Sequence, residues 1–198
     1  MLTRTTTALL DDLADPANDE VWRQIDSRYR PVLTAFAAQL GLSDDDAADA
    51  AQETLHRFLT AFRAGRYERG RGRLSSWIIG IARNCVAERK RQTARRREQH
   101  GMSAIGEIPG EERQSQMWEA ACQREILRRA VEALSAETRF DDRTIEAFEL
   151  IAFRQLSAAE VAQRLDMTMN DVYLAKHRCL KRLRELVERI TVAFETDA

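Results

Sequence analysis

Apolar residues step by three and four along two long stretches of this chain, and one interval between them breaks the step. The first stretch runs through Val21/Trp22, Ile25, Tyr29, Val32/Leu33, Phe36 and Leu40, and resumes as Ala47, Ala51, Leu55, Phe58/Leu59 and Phe62. The second runs through Met117/Trp118, Ala121, Ile126/Leu127, Ala130/Val131 and Leu134. Such spacing is one face of an α-helix, whereas a strand alternates every second residue. Turn-forming residues are scarce, with 8 Gly and 3 Pro in 198 residues, too few for a sandwich that must turn every ten residues or so. The expectation is an all-α chain.

Helix ends can be placed from local chemistry. Gly41 ends the first helix, and Ser43 caps the next, with Asp44, Asp45 and Asp46 in a first turn where the helix dipole favours acid. That helix stops near Gly65. The segment Gly65-Arg66-Tyr67-Glu68-Arg69-Gly70-Arg71-Gly72-Arg73 reads as a basic, glycine-punctuated loop. A third helix starts at Ser75 or Ser76, turns Trp77/Ile78, Ile81/Ala82 and Cys85/Val86 inward, and ends in a basic run. Between Gln99 and Glu112, Gly101, Gly106, Pro109 and Gly110 break helices and the composition turns acidic. The resulting division is a tail over 1–18, a helical domain over 19–98, a flexible acidic linker over 99–123, a second helical domain over 124–192 and a tail over 193–198.

The second domain carries the most informative pattern. Asp141 or Asp142 can cap a helix with Ile145, Phe148 and Ile151/Ala152 inward. Ser157-Ala158-Ala159-Glu160 is a capping box opening a short helix with Val161, Ala162 and Leu165 inward. After Asp166-Met167-Thr168, Thr168 caps a second helix with Asp171 at its third position. That helix interleaves Val172, Leu180, Leu183 and Leu186/Val187 with Lys176, Arg178, Lys181 and Arg182. A short helix, a tight turn and a longer basic helix make a helix-turn-helix. Its second helix can lie in a major groove, first turns on base edges and cations on phosphates.

The formal charge of -1 hides a strong segregation. Arg83, Arg89, Lys90, Arg91, Arg95, Arg96 and Arg97 crowd one helix, and a second basic set crowds the stretch from Lys176 to Arg189. Acid gathers in Asp11–Glu20, Asp44–Asp49 and Glu107–Glu112. Two basic helices separated by an acidic connector suit two contacts with a polyanion. Enzymatic signatures are missing: no phosphate loop, no G-x-S-x-G and no H-E-x-x-H occur. Catalytic residues, cofactors and a metal site are not expected. The histidines (His56, His100, His177) and cysteines (Cys85, Cys122, Cys179) are scattered, and the pair His177 and Cys179, two apart on a helix, points different ways. Met1–Pro16 lacks a signal-peptide core, and no apolar run reaches the roughly 18 residues of a membrane span, so a cytoplasmic chain with reduced thiols is expected.

These residues resemble the extracytoplasmic-function (ECF) class of bacterial RNA polymerase sigma factors, within the sigma-70 family. Asp46-Ala47-Ala48-Asp49-Ala50-Ala51-Gln52-Glu53 is similar to the family's D-x-x-D-x-x-Q-E signature, with Ala50-Ala51 where Leu-Val is usual. Trp77, Ile81-Ala82-Arg83-Asn84 and Glu88-Arg89 resemble its W…IARN…D-R run, with Glu88 in place of Asp. Leu156-Ser157 through Leu186 is similar to L-S-x-x-E-x-A-x-x-L…V…R-x-L-x-x-L. The resemblance implies a sigma region 2 domain over 19–98 and a region 4 domain over 124–192. It implies that Asp46, Asp49, Gln52 and Glu53 dock the clamp coiled coil of the polymerase β′ subunit, that the β flap is a further contact, and that promoter DNA is the ligand. Region 2 would bind and melt the −10 element and region 4 would read the −35 element. An anti-sigma partner is a family expectation with no motif of its own here. The family commonly carries a basic-Ser-Arg triplet after the recognition-helix valine; here it is Tyr173-Leu174-Ala175.

The residues themselves suggest how DNA would be held. Arg69, Arg71, Arg73, Arg83, Arg89 and Lys90 would track a single strand, and Asn84, donor and acceptor in one amide, would read a base edge. Tyr67 has two readings, a platform on which a base stacks or an anchor packed on its own domain. In the second domain the candidate DNA contacts are Thr168, Asn170, Asp171, Tyr173, Lys176, His177, Arg178, Lys181 and Arg182. Glu107, Glu111 and Glu112 of the linker either mimic nucleic-acid charge or form a solvated spacer. The alternative to a sigma factor is a stand-alone helix-turn-helix regulator, for which the acidic Asp46–Glu53 face has no evident task.

Overall fold

Every element that can be placed in this chain is a helix. The computed structural model describes residues 18–68, 74–99, 109–136 and 140–195, with Leu9, Asp12, Leu13 and Asp15 before them. Seven helices of eight or more residues and no strand are found among the described residues. Two compact units divide the chain, one within Arg4–Glu125 and one within Ile126–Phe194.

The front unit is built on α1 (Asp19–Gln39), α2 (Asp44–Arg63) and α3 (Leu74–Gln99). Asn18 caps α1, its Oδ1 accepting from the Val21 N–H at 3.3 Å. Pro31 lies inside α1, where its ring removes a backbone donor and disfavours the helix. The helix nonetheless continues, because Tyr29, Val32, Leu33 and Phe36 on either side of the proline are all buried in one face. Gly41 ends it with φ +91°, a backbone conformation open to glycine. Ser43 caps α2, its Oγ accepting from the Asp46 N–H at 3.3 Å. Buried Ala47, Ala50 and Ala51 give α2 a flat surface where it packs beside α1. Leu74, Ile78, Ala82 and Val86, one per turn, bury the inner face of α3.

The fourth helix starts earlier than the sequence pattern suggests. The acidic interval was expected to be unstructured to Glu112 and the linker to reach residue 123, but α4 spans Glu111–Ser135. Proline and glycine at 109 and 110 precede it, the order in which breakers stand just outside a helix. Trp118 and Ala121, which the pattern groups with the second block, belong to the front unit. The Trp118 ring meets Phe36 edge-on at 5.6 Å and 82°. Residues 1–18 were expected to form a tail, yet Leu9 and Leu13 are fully buried. The expected linker segment 101–108 lies outside the described residues.

The second unit takes up α4 from Ile126 and adds α5 (Asp142–Ala152), α6 (Ala158–Leu165) and α7 (Met169–Glu195). Ile126, Ala130 and Leu134 of α4 pack with Phe148, Cys179, Leu186 and Ile190. A second cluster of Ala147, Leu150, Val161, Val172 and Ala175 ties α5 and α6 to the start of α7. Leu127, expected inward, is half exposed, since the four-residue step from Ile126 to Ala130 takes the inner face. Asp141 caps α5, accepting from the Thr144 N–H at 2.6 Å. The Ser157–Glu160 capping box is complete in both directions. Thr168 and Asp171 form another at the start of α7, with the Thr168 N–H donating to Asp171 Oδ2 at 3.3 Å and the Asp171 N–H to Thr168 Oγ1 at 3.1 Å. The turn between α6 and α7 rests on Asp166 in the left-handed region, φ +50°. Arg143 of α5 donates to the carbonyls of Leu165 and Asp166, where the α6 dipole favours a cation.

All three cysteines are free, and Cys85 and Cys179 are buried. Desolvation pushes the Cys122 thiol up to about 12 and the Cys179 thiol up to about 11, so both stay protonated near neutrality. Among the described residues no helix is long and apolar enough to cross a membrane. Because each cap satisfies a backbone amide that would otherwise lack a partner, Ser157→Ala and Thr168→Ala are each expected to cost about 1 kcal/mol. Denaturant unfolding of the full chain followed by circular dichroism measures this, and an unchanged midpoint would contradict the caps' role.

Candidate nucleic-acid and partner interfaces

The acidic face of α2 and the basic run of α3, expected to serve different partners, are joined to each other. Asp46, Asp49 and Glu53 recur at steps of three and four along α2, so they share one side of the helix. Arg89 of α3 reaches Asp49 Oδ2 at 3.2 Å and Asp46 Oδ1 at 3.8 Å. Thr93 Oγ1 lies 3.5 Å from Asp46 Oδ2. One turn along, Arg57 donates through Nε to Glu53 Oε1 at 2.6 Å and through Nη1 and Nη2 to both oxygens of Glu88 at 3.0 and 2.7 Å. The planar guanidinium suits this two-point grip. Its effect reaches both partners: the Arg57 hydrogen bonds hold the Glu88 carboxyl below the ordinary 4.5, and those carboxylates raise the Arg57 guanidinium further.

Several expected strand contacts are therefore already engaged inside the unit. Arg89 is committed to the two aspartates. Lys90 is 7 % exposed, and desolvation lowers its ammonium from the usual value. In the free chain, rather than lying open to a strand as expected, the lysine stem packs against the turn at Gly41, with Nζ 3.7 Å from where a Cβ on that glycine would stand. Arg83 Nη2 donates to the Glu111 carbonyl at 3.0 Å and to Ser115 Oγ at 3.1 Å, and Nη1 faces the Glu111 carboxylate at 3.7 Å. The opening turn of α4 thus occupies Arg83. Glu112 is exposed on the same turn. Glu107 lies outside the described residues, as do Arg69, Arg71 and Arg73.

What remains outward on α3 is a different set. Asn84, Glu88, Arg91 and Arg95 follow steps of four, three and four and share one face; Asn84, Arg91 and Arg95 are exposed. Asn84 also borders a groove of about 470 Å³ lined by His56, Arg57, Thr60, Arg66 and Trp77 among others. Tyr67 stacks on Trp77 at 5.1 Å and 22° and on Phe62 at 6.2 Å and 29°, while Trp77 meets Phe58 edge-on at 5.6 Å. Of its two readings, the own-domain anchor is the one this packing favours. Of the four acidic-face residues, Asp49 and Gln52 are exposed, while Asp46 and Glu53 are half-buried at the junction with α3. Arg57, the centre of the junction, was missed in the sequence. Its signal was the Glu53–Arg57 spacing of four, which marks a helical ion pair.

In the second unit, Thr168 and Asp171 hold each other in the capping box. Asn170, Tyr173, Lys176, His177, Arg178 and Lys181 of α7 are exposed, and Arg182 is half-buried with its guanidinium 2.8 Å from Glu185. His177 points outward and Cys179 is fully buried, so the two do not converge on a metal ion. Among the described residues no group of three or more His, Cys, Asp or Glu side chains is placed to hold one. A concavity of about 500 Å³ beside the turn is lined by Asp141, Arg143, Asp166, Thr168, Asp171 and Arg178 among others.

Residues 25–96 match the family model described as Sigma-70 region 2. Over that segment the chain is similar to sigma-70 region 2. The matched segment comprises α1 from Ile25, the whole of α2, and α3 to Arg96, so the Arg57 and Arg89 junctions lie wholly inside it. A comparison with curated proteins finds no match. Among solved structures, CnrH in complex with the cytosolic domain of CnrY is 18% identical, covers 91% of this chain and 96% of its own, and has a TM-score of 0.36.

The Arg57–Glu88 contact makes a pH-dependent contribution to the stability of the front unit. The Glu88 carboxyl is lowered in the folded state, so its stabilisation is present above the ordinary value of 4.5 and is lost as pH falls through the lowered folded value. Both side chains are about 40 % exposed (39% and 41%), which limits the pair to under about 1 kcal/mol. Glu88→Gln is expected to lower the unfolding midpoint near neutrality and to differ less from the native chain as pH drops into the acid range. A difference that stays constant through that range would contradict the contact's role.

Proposed function

We propose that this chain is an ECF-class sigma factor, a non-catalytic subunit that carries core RNA polymerase to promoters and starts transcription there. The observation that carries this reading is the region 2 match over residues 25–96, with its acidic helix and basic helix held in one body. A stand-alone regulator would have no use for that segment. Core polymerase docks on the outward part of the acidic face, Gln52 and the exposed Asp49, while Arg89 and Arg57 position that face through Asp46, Asp49 and Glu53. The clamp coiled coil of β′ is the docking partner there, and the flap of β meets the second unit.

Promoter opening falls to the outward face of α3. Asn84 reads a base edge, Arg91 and Arg95 neutralise phosphates, and the groove beside Asn84 admits an unpaired base. Arg83 joins them only when α4 releases it. The second unit acts as the −35 reader, with α7 in the major groove and Lys176, Arg178 and Lys181 on phosphates, each contact adding salt-dependent affinity. A cytoplasmic site of action and restraint by an anti-sigma protein belong to the same reading.

The test is co-purification of the full chain with core polymerase, followed by transcription from a defined promoter. Gln52→Lys places a cation on the docking face without touching either junction. It is expected to weaken retention on core by about tenfold or more, worth roughly 1.4 kcal/mol, while leaving the thermal unfolding of the free chain unchanged. Native protein that ignores core under conditions where a control sigma factor is retained would overturn the reading.

A further inference from the structure

The outward face of α7 over its first three turns is apolar and amide-bearing, with cations only at its borders. Val172, Ala175 and Cys179 are buried, and Val172 and Ala175 belong to the cluster that joins α7 to α5 and α6. This packing fixes the helix's rotation. Opposite the buried side, steps of three and four bring Asn170, Tyr173, Leu174 and His177 to one face. Tyr173 is 55% exposed and Leu174 42%, high values for large apolar side chains, and the two sit side by side on this face. Lys176 and Arg178 flank the face on its two sides, and Lys181 continues it one turn later.

Resting on the sigma-factor reading, we propose that α7 reads an A·T-rich duplex, with Asn170 on adenine and Tyr173 and Leu174 on thymine methyl groups. The chemistry of base edges separates this from a guanine-reading helix. Guanine offers two acceptors to the major groove and is met best by Arg or Lys, whereas adenine pairs an acceptor with a donor that an amide matches. The thymine methyl is the one apolar feature of the groove, and an exposed apolar side chain is its complement. No Arg or Lys stands at the centre of this face in its first turns. The flanking cations argue for a polyanion as occupant rather than an apolar peptide, since they lie where the two phosphate walls of a groove would pass. The cap at Thr168 and Asp171 and the Arg143 clamp on the preceding turn hold the first turn of α7 in place for such contacts.

The experiment uses core polymerase with the full chain and a promoter library randomised across the upstream duplex element. Active promoters are expected to be rich in A·T at that element. Replacing its dT with dU, which removes only the methyl groups, is expected to lower transcription about threefold to fivefold per engaged methyl for the native chain. A Tyr173→Ala, Leu174→Ala double variant is expected to be weaker and indifferent to dU. Selection of G·C pairs, or an equal dU effect in native and variant proteins, would overturn the inference. If core is bound but no library member is transcribed, the sigma-factor reading fails by itself. The same library is then recovered as duplex bound to the full chain and judged by the same two criteria, and a chain that binds no duplex overturns both.

Discussion

Arg57 and Arg89 decide how the front unit presents its surfaces. Each guanidinium, one on α2 and one on α3, holds carboxylates of the opposite or same helix, and together they lock the two helices in one register. The lock consumes much of the charge that a linear reading assigns to outside partners. It leaves Gln52 outward beside the exposed, Arg89-paired Asp49 on one helix and Asn84, Arg91 and Arg95 outward on the other. Surface ion pairs contribute little stability one at a time. Their larger effect here is selective, since they set which side chains are left to meet a partner.

The opening of α4 extends the same logic. Trp118 against Phe36 is an apolar anchor, and Arg83 between Glu111 and Ser115 is the polar one. An acidic stretch that composition alone would leave as a spacer is therefore helical from Glu111, because one aromatic side chain and one arginine give it something to fold against.

The sequence made the local features legible and left the tertiary ones hidden. Caps at Ser43, Asp141, Ser157 and Thr168 follow from side chains that bond their own backbone, so three or four neighbouring residues suffice to find them. Helix faces follow from period alone, and the inward sets of α2 and α3 were readable for that reason. The family likeness was carried by motifs of this local kind. Lys90 could not be read, because nothing beside it in the chain reveals that its stem packs at Gly41. Trp118 was assigned to the wrong neighbours because a helical period identifies a face and says nothing of what the face meets. Leu9 and Leu13 sit in a polar, acidic stretch too short to show a period. Arg83, Arg89 and the basic loop looked alike in sequence; for the two described arginines, partners 28 and more residues away decide their task.

The three thiols give the molecule a property unrelated to DNA. Cys85 sits in the front unit and Cys179 in the second, both buried and without disulfide partners, and burial keeps the Cys179 sulfur in its unreactive protonated form. An alkylating reagent can reach either sulfur only while its surroundings are open. The rate at which each is labelled therefore reports how often each half of the chain breathes, using chromophore-free native residues as separate internal clocks.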